Sequence, residues 1–427
     1  MSAKALLIKS ARIIDAKSPF NDKVMDLWIE GDSIIDIAAS IDDKGDCEIF
    51  EAENLHLSIG WMDLRANFND PGHEDRESIE SGAWAAAQGG FTNVALSPQT
   101  EPSVDSKASV HYILKQNPDL PINLIAIGAF SKGLKGDELS EIYDMKAAGA
   151  TAFSHGNRAV SNSALMRLAL LYNREIGPAL QVLAQESSMR ANGQMHEGEK
   201  STWLGLKGIP DLAESLAIAR DLALAEYCES PIHFQALSSK KGLELIREAQ
   251  VKGQRVSADV NLMNLIYTDA DLESYDTNLK VYPPLRSTED RKALIEGLKA
   301  GHIKAIASDH TPLTVEEKRC EFDIAYFGAA SLEGFFPSLN ANLGEELGLA
   351  KLIECITSGP REILNYQTEL KVDKGQRADL SFFNPDANLD WSSLKLKSKA
   401  ANYPFKGKSL KGKALAIYQK GKLTKLV

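Results

Sequence analysis

The stretch Gly60-Trp61-Met62-Asp63-Leu64-Arg65-Ala66-Asn67-Phe68-Asn69-Asp70-Pro71-Gly72 decides how the rest of the chain is read. Side chains alternate direction along an extended strand, so Arg65, Asn67 and Asn69 point to one side while Leu64, Ala66 and Phe68 point to the other. Asp70-Pro71-Gly72 then turns the chain. The stretch reads as a buried strand that delivers polar groups at its C-terminal end.

Working outward, the same arrangement recurs. Apolar runs at 57–68, 91–97, 122–130, 150–154, 179–185, 231–237, 255–262 and 303–308 alternate with helix-length amphipathic segments at 78–88, 104–116, 139–148, 163–175, 211–226, 240–251 and 288–300. Eight buried strands alternating with helices predict an α/β fold, a (β/α)8 TIM barrel, because each crossover helix covers the outside of a parallel sheet. A doubly wound open sheet is the alternative that the pattern alone leaves open. Before the barrel, residues 5–8, 11–14, 26–30, 33–37 and 47–50 read as short strands, with Gly31-Asp32 as a hairpin signal. After a last helical turn at 360–364, residues 372–375, 378–384 and 414–426 return to strands. Neither end has enough strands to close a core alone, so both are expected to join in one small β-sandwich. The expected division is 1–55 with 366–427 for the composite β-sandwich and 56–365 for the barrel.

The 427 residues suffice for such a barrel and a smaller domain, and 44% hydrophobic with 25% charged residues is ordinary for a globular chain. A net charge of −11 argues against nucleic acid or an anionic membrane as partner, since both need clustered Lys and Arg. Cys47, Cys228, Cys320 and Cys355 are scattered without Cys-x-x-Cys spacing and read as reduced, packed residues. No run approaches the roughly 20 apolar residues of a membrane span. Ala5-Leu6-Leu7-Ile8-Lys9 is too short and interrupted for a signal peptide, so a cytoplasmic location is expected.

In a (β/α)8 barrel the working residues sit at the C-terminal strand ends. Here those ends carry Arg65, Asn67 and Asn69; Gln99 and Thr100; Ser131; His155 and Gly156; Gln185 and Glu186; Ala236 and Ser238; Asp259 and Asn261; and Asp309 with His310. The set is polar but poor in the converging His, carboxylate and thiolate groups that zinc requires. Asp309 and His310 are neighbours on a strand and face opposite sides, which argues against a dyad. Arg65 is expected to neutralise Asp309, which would otherwise be a buried carboxylate without a partner. His56, His73, His111 and His302 are expected to face solvent, and 406–413 to form a solvated basic turn.

Nine further pieces carry a resemblance that extends over nearly the whole chain: residues 60–63, 70–72, 81–92, 98–102, 195–198, 205–210, 280–286, 308–312 and 403–407. Together and in order they resemble dihydroorotases of the longer bacterial type, within the cyclic amidohydrolase superfamily, whose fold is a barrel plus a β-sandwich. The resemblance implies a zinc site, but its positions fall on Arg65 and Asn67 in place of a histidine pair, on His155 and Gly156 where an aspartate belongs, and on Gln185 and Ala236 in place of two histidines. Asp309 retains the catalytic aspartate. Substrate-binding positions fall on Asn69, Gln99, Tyr282 and Leu313, all changed, while Phe327 and Gly328 are kept. The resemblance is therefore to members of the family that lack the metal ligands. It implies a metal-free, catalytically inactive protein of the pyrimidine biosynthesis context, with no cofactor, acting as a structural or assembly subunit. Aspartate carbamoyltransferase is the partner so implied, and a homo-oligomer is expected. Two other readings stay open: an active cyclic-amide hydrolase on dihydroorotate, a hydantoin or allantoin, with an atypical site around Asp309, His310 and His155; and a small-molecule binding barrel.

Overall fold

In the computed structural model, which describes residues 5–43, 45, 47–391 and 395–426, strands from both ends of the chain share one sheet. The N-terminal end supplies β1 (Ala5–Ile13), β2 (Val24–Glu30), β3 (Ser33–Ala38), β4 (Cys47–Phe50) and β5 (His56–Ile59). Barrel strands follow as β6 (Trp61–Ala66), β7 (Phe91–Leu96), β8 (Asn123–Ala129), β9 (Ala152–Ser154) and β10 (Leu180–Val182). A short pair, β11 (Met195–His196) and β12 (Gly208–Ile209), interrupts them before β13 (Ile232–Phe234), β14 (Val256–Asn261) and β15 (Ala305–Ala307). The C-terminal end adds β16 (Leu380–Asp390), β17 (Ser409–Gln419) and β18 (Lys422–Lys425). Residues 1–4 and 427, the extremes of the expected terminal module, lie outside the described residues, as do 44, 46 and 392–394.

The terminal sheet has the order β18-β17-β16-β5-β1-β2-β3, with β4 alongside β1. Its two halves meet where β16 runs antiparallel to β5, Leu380 opposite Ile59. The apolar run expected as one barrel strand at 57–68 is thus two strands with different partners, and the sheet reaches past residue 55. Gly60 is the point of transfer. Its N–H donates to the Asp379 carbonyl at 2.7 Å, and a Cβ there would lie 2.0 Å from Asp379 Oδ1 and from Thr92 Oγ1.

The barrel sheet has the order β6-β7-β8-β9-β10-β13-β14-β15. A parallel bridge between Ala66 and His310 closes it, with Asn67 N–H donating to the His310 carbonyl at 2.8 Å. Closure leaves the polar strand ends of the sequence on one rim. Met62, Leu64, Ala95, Ile125, Ile127, Ala152, Ala305 and Ala307 pack together with Ile363 and Leu364. Burying each Leu- or Ile-sized side chain contributes about 1.5–3 kcal/mol, and the small Ala residues let larger neighbours fit. Asp63, fully buried between these residues in sequence, accepts the backbone N–H of Ser308 at 2.8 Å as well as its hydroxyl, tying the first barrel strand to the eighth. Burial pushes its carboxyl up to about 7.

Outside the barrel, the helices begin where the sequence provides caps. Ser78, Ser106 and Ser287 each accept the N–H three residues on, in reciprocal capping boxes that satisfy otherwise orphaned helix donors.

Three local expectations are corrected. Residues 372–375 form no strand; Val372 N–H and Gly375 N–H are taken by Asp15 Oδ2 and the Ile34 carbonyl in a loop. His56 does not face solvent: it is buried on β5, with Nδ1 2.9 Å from the Asn54 carbonyl and its ring against Phe383. The second half of 406–413 is not a turn but the start of β17. In each case pairing with a distant segment overrides the local signal.

Candidate functional site

Arg65 leaves β6 pointing into the barrel mouth and is buried, with 4% of its side chain exposed. Its Nε–H donates to Asp309 Oδ1 at 3.0 Å, and Nη1 and Nη2 reach the two oxygens of Asp259 at 3.2 and 3.1 Å. Nη2 also donates to Asn261 Oδ1. The expected pair of Arg65 with Asp309 is present, and Asp259 is a second carboxylate that sequence reasoning did not join to it. His233 completes the set: its Nε2 lies 2.9 Å from Asp259 Oδ2 and its Nδ1 lies 2.8 Å from Ser257 Oγ. A carboxylate can only accept, so Nε2 is the donor and the serine hydroxyl serves the other nitrogen.

One guanidinium between two carboxylates sets an uneven charge balance. Burial opposes the charge of Asp259, yet Arg65 and the His233 hydrogen bond outweigh it and hold that carboxyl below the usual range. Asp309 has less support, and burial pushes it up to about 6 against the pull of Arg65. Burial also disfavours the guanidinium charge, but the two carboxylates reverse this and keep Arg65 charged. Both Asp309 oxygens are engaged, since Asn261 Nδ2 donates to Oδ2 at 3.0 Å. Among the described residues, no group of three or more His, Cys, Asp or Glu side chains is placed to hold a metal ion. The zinc that the resemblance implies does not fit this donor set: a cation that the protein itself supplies stands between the carboxylates.

Most of the other positions at which the resemblance expects a changed site make structural contacts. Asn67 spends its amide on closing the barrel, donating to the His310 carbonyl at 3.2 Å and to Thr311 Oγ1 at 3.0 Å. His155 is buried; Nε2 lies 2.7 Å from Ser131 Oγ and Nδ1 3.0 Å from the Arg158 carbonyl, and burial lowers its pKa. Gly156 adopts φ +60°, and a Cβ there would come within 2.4 Å of the Gln99 side chain, whose Oε1 accepts the Asn157 N–H. Gln185 is buried, and its Nε2 has no hydrogen-bond partner among the described residues. Ala236 packs with Leu183, Ile209 and Tyr282, while its N–H donates to Asp259 Oδ1. His310 turns away from the mouth, fully buried, with Nδ1 accepting the Ser331 N–H and Nε2 3.5 Å from Glu77.

Above this layer lies a cavity of about 610 Å³ at the strand ends. Asn67, Asn69, Gln99, Tyr282, Asp309, Leu313, Phe327 and Gly328 all line it, so the expected substrate positions converge. Arg65, His155, Gly156, Gln185 and Ala236 do not line it. Tyr282 and Phe327 meet edge to face at 5.7 Å, and Gly328 crosses above Thr311 at φ +148°. Sequence reading missed Arg158 and Arg190, which also face the cavity. Arg158 sits in the loop after β9 and Arg190 ends a one-turn helix, Ser187–Arg190, after β10, both outside the motifs quoted above, and no sequence signal separates them from ordinary surface arginines.

The Dihydro-orotase-like family profile matches residues 56–242. A dihydroorotase of Ruminiclostridium cellulolyticum is 39% identical over 410 residues, covering 95% of this chain and 95% of that protein. One of Geobacter metallireducens is 38% identical over 421 residues, covering 98% and 99%. Among solved structures, the L-hydantoinase (dihydropyrimidinase) of Arthrobacter aurescens superposes with a TM-score of 0.87 at 22% identity, over 100% of this chain and 96% of that one. The dihydropyrimidinase of Brevibacillus agri gives 0.83 at 19% identity, over 99% and 95%. At such identities these likenesses speak to the fold.

Proposed function

The chain belongs to the dihydroorotase family, and from that premise we propose that it is a metal-free, catalytically silent member acting as a structural or assembly subunit in pyrimidine biosynthesis. The observation that carries this reading is Arg65, whose guanidinium is bound by Asp259 and Asp309 in the place where the resemblance puts the metal.

Energetics support it. Hydroxide formation from water of pKa 15.7, rather than from zinc-bound water near 7, costs roughly 12 kcal/mol more. A general base returns a factor of about 10² to 10⁴, or roughly 3–5 kcal/mol. Asp309, the family's base position, already has both oxygens bound by Arg65 and Asn261. The partner follows from the resemblance: aspartate carbamoyltransferase, held in a complex by a barrel that keeps its shape and has lost its chemistry.

The test is metal analysis and dihydroorotate turnover on protein purified without chelator, followed by co-purification with the carbamoyltransferase of the same organism. The expected result is substoichiometric zinc, no turnover, and a complex stable to gel filtration. Stoichiometric zinc with turnover abolished by Asp309→Asn would refute the silent reading.

A further inference from the structure

A helix on the outside of a barrel ordinarily meets water with charged residues, and two here do. The helix Lys240–Val251 exposes Lys241, Arg247 and Glu248, and the helix Thr288–Lys299 exposes Glu289, Lys292 and Glu296. The helix Leu212–Cys228 differs from both. Ile218, Leu222 and Ala225 are buried on its inner side, as a crossover helix requires, yet its outer side carries Leu212, Leu216, Ala219, Ala223 and Tyr227. Leu212 and Leu216 are 49% and 48% exposed, and Tyr227 is 74% exposed. A helix that is apolar on every side belongs in an interior, so its outer stripe calls for a cover.

The helix Ser163–Asn173 repeats the pattern beside it, exposing Ala164, Leu168 and Tyr172 at every fourth residue. Two contacts join the helices: Cys228 Sγ lies 3.6 Å from the Arg167 carbonyl, and Arg220 Nη1 lies 3.5 Å from the Ser161 carbonyl. Among the described residues, Glu226 is the only charged one exposed on these two helices. Arg220 is half-buried and held aside by Asp221 at 2.8 Å. With about 1.5 Å per residue along each helix and about 10 Å between axes, the face is on the order of 400 Å² per copy, the size of a small, reversible interface.

Charge and spacing select the occupant. Two copies of a chain with net charge −11 repel each other, so a contact between them needs a surface nearly free of charge, and this face is one. The stripe is also self-complementary. About a two-fold axis passing between Ala219 and Arg220, position 212 lies opposite 227 and position 216 opposite 223. Leu216 then meets the small side chain of the partner's Ala223, Leu212 meets the ring of the partner's Tyr227, and Ala219 at the axis lets the two backbones approach.

We propose that the face formed by the helices Ser163–Asn173 and Leu212–Cys228 joins two copies of this chain, with their Leu212–Cys228 helices packed antiparallel about a two-fold axis beside Ala219. The inference does not rest on the silent reading of the barrel mouth, since the face lies on the outer helices and takes part in no chemical step.

Sedimentation velocity of the full chain between about 1 and 100 µM tests it. A reversible dimer is expected, with a Kd on the order of 1–10 µM for a face of this size. Leu216→Glu and Tyr227→Glu each set a charge in the seam and should raise that Kd about hundredfold, because an unpaired charge is costly to bury. Val251→Glu, at a residue 81% exposed on the helix Lys240–Val251, should leave the dimer unchanged. The double variant Leu216→Glu with Ala223→Lys sets opposite charges across the seam twice and should lower the Kd about tenfold from that of Leu216→Glu alone. Each substitution is at an exposed position, and melting followed by circular dichroism confirms that the variants fold. A wild-type chain that stays monomeric at about 100 µM, whether another protein covers the face or nothing does, would overturn the proposal. So would a dimer untouched by both glutamate substitutions, an equal loss in Val251→Glu, or no recovery in the double variant.

Discussion

Replacing Arg65 by methionine removes the cation shared by Asp259 and Asp309, whose side chains are 1% and 11% exposed. Methionine fills much the same volume, so the change isolates charge from packing. Removing one partner of a buried ion pair costs about 3–5 kcal/mol, because the remaining charge is left in a poorly solvated site. The wild-type protein gives a lower bound on that penalty. Even with Arg65 in place, the rise of the Asp309 carboxyl from 3.8 to about 6 corresponds to about 3 kcal/mol at neutral pH. Without Arg65 the Asp309 carboxyl rises further and Asp259 loses the cation that helps hold its carboxyl low. A carboxyl whose folded pKa lies above its unfolded value binds extra protons on folding, so its penalty is absent below about pH 4 and grows until the folded pKa is passed. The Arg65→Met loss should therefore be largest at pH 8 and shrink at pH 5. Urea unfolding followed by tryptophan fluorescence reads this directly: with a slope of about 3 kcal/mol/M or more for a chain this large, the midpoint should fall by about 1 M at pH 8. A fall corresponding to less than about 1 kcal/mol, or one that does not diminish at pH 5, would refute the account of Arg65 as a substitute for the metal charge.

The two carboxylates should respond in opposite ways. Asp309→Asn removes a raised carboxyl, so its stability relative to wild type should improve by about 3 kcal/mol between pH 4 and pH 8. Asp259→Asn removes the better-supported charge on Arg65 and should destabilise at pH 8, as urea midpoints of the two variants will show. His155→Ala deletes the hydrogen bonds to Ser131 and the Arg158 carbonyl, for a loss of about 1–3 kcal/mol, and should raise hydrogen exchange in the loop after β9. Gly60→Ala forces a methyl group against Asp379 and Thr92; a loss of about 1–3 kcal/mol in calorimetry is expected, with no comparable effect from Gly253→Ala beyond the strain of its positive φ, since nothing lies within 4 Å there.

Much of the architecture is legible from the chain because it rests on periodicity. Eight apolar runs alternating with amphipathic helices can bury their faces in few ways. The strand alternation expected through residue 69 stops at Ala66, where β6 ends, and Asn67 and Asn69 reach the cavity from the turn that follows while Arg65 stays below it. The residues at which the resemblance expects metal ligands can likewise be read off one by one, as can the need of Asp309 for a cation. What replaces the metal is not visible, because it depends on register between strands far apart in sequence. His233 sits opposite Ser257, which sets its ring beside Asp259, and β14 lies beside β15, which brings Asp259 and Asn261 to the same guanidinium as Asp309. No local pattern encodes those alignments. The division at Gly60 is hidden for the same reason, since one apolar run serves two sheets and only the distant Asp379 and Thr92 show where it changes partner. Arg158 and Arg190 lie furthest from what sequence can show: they face one cavity only because the segments after β9 and β10 are carried to one rim, where Tyr282, from another part of the chain, comes to lie beneath Arg190.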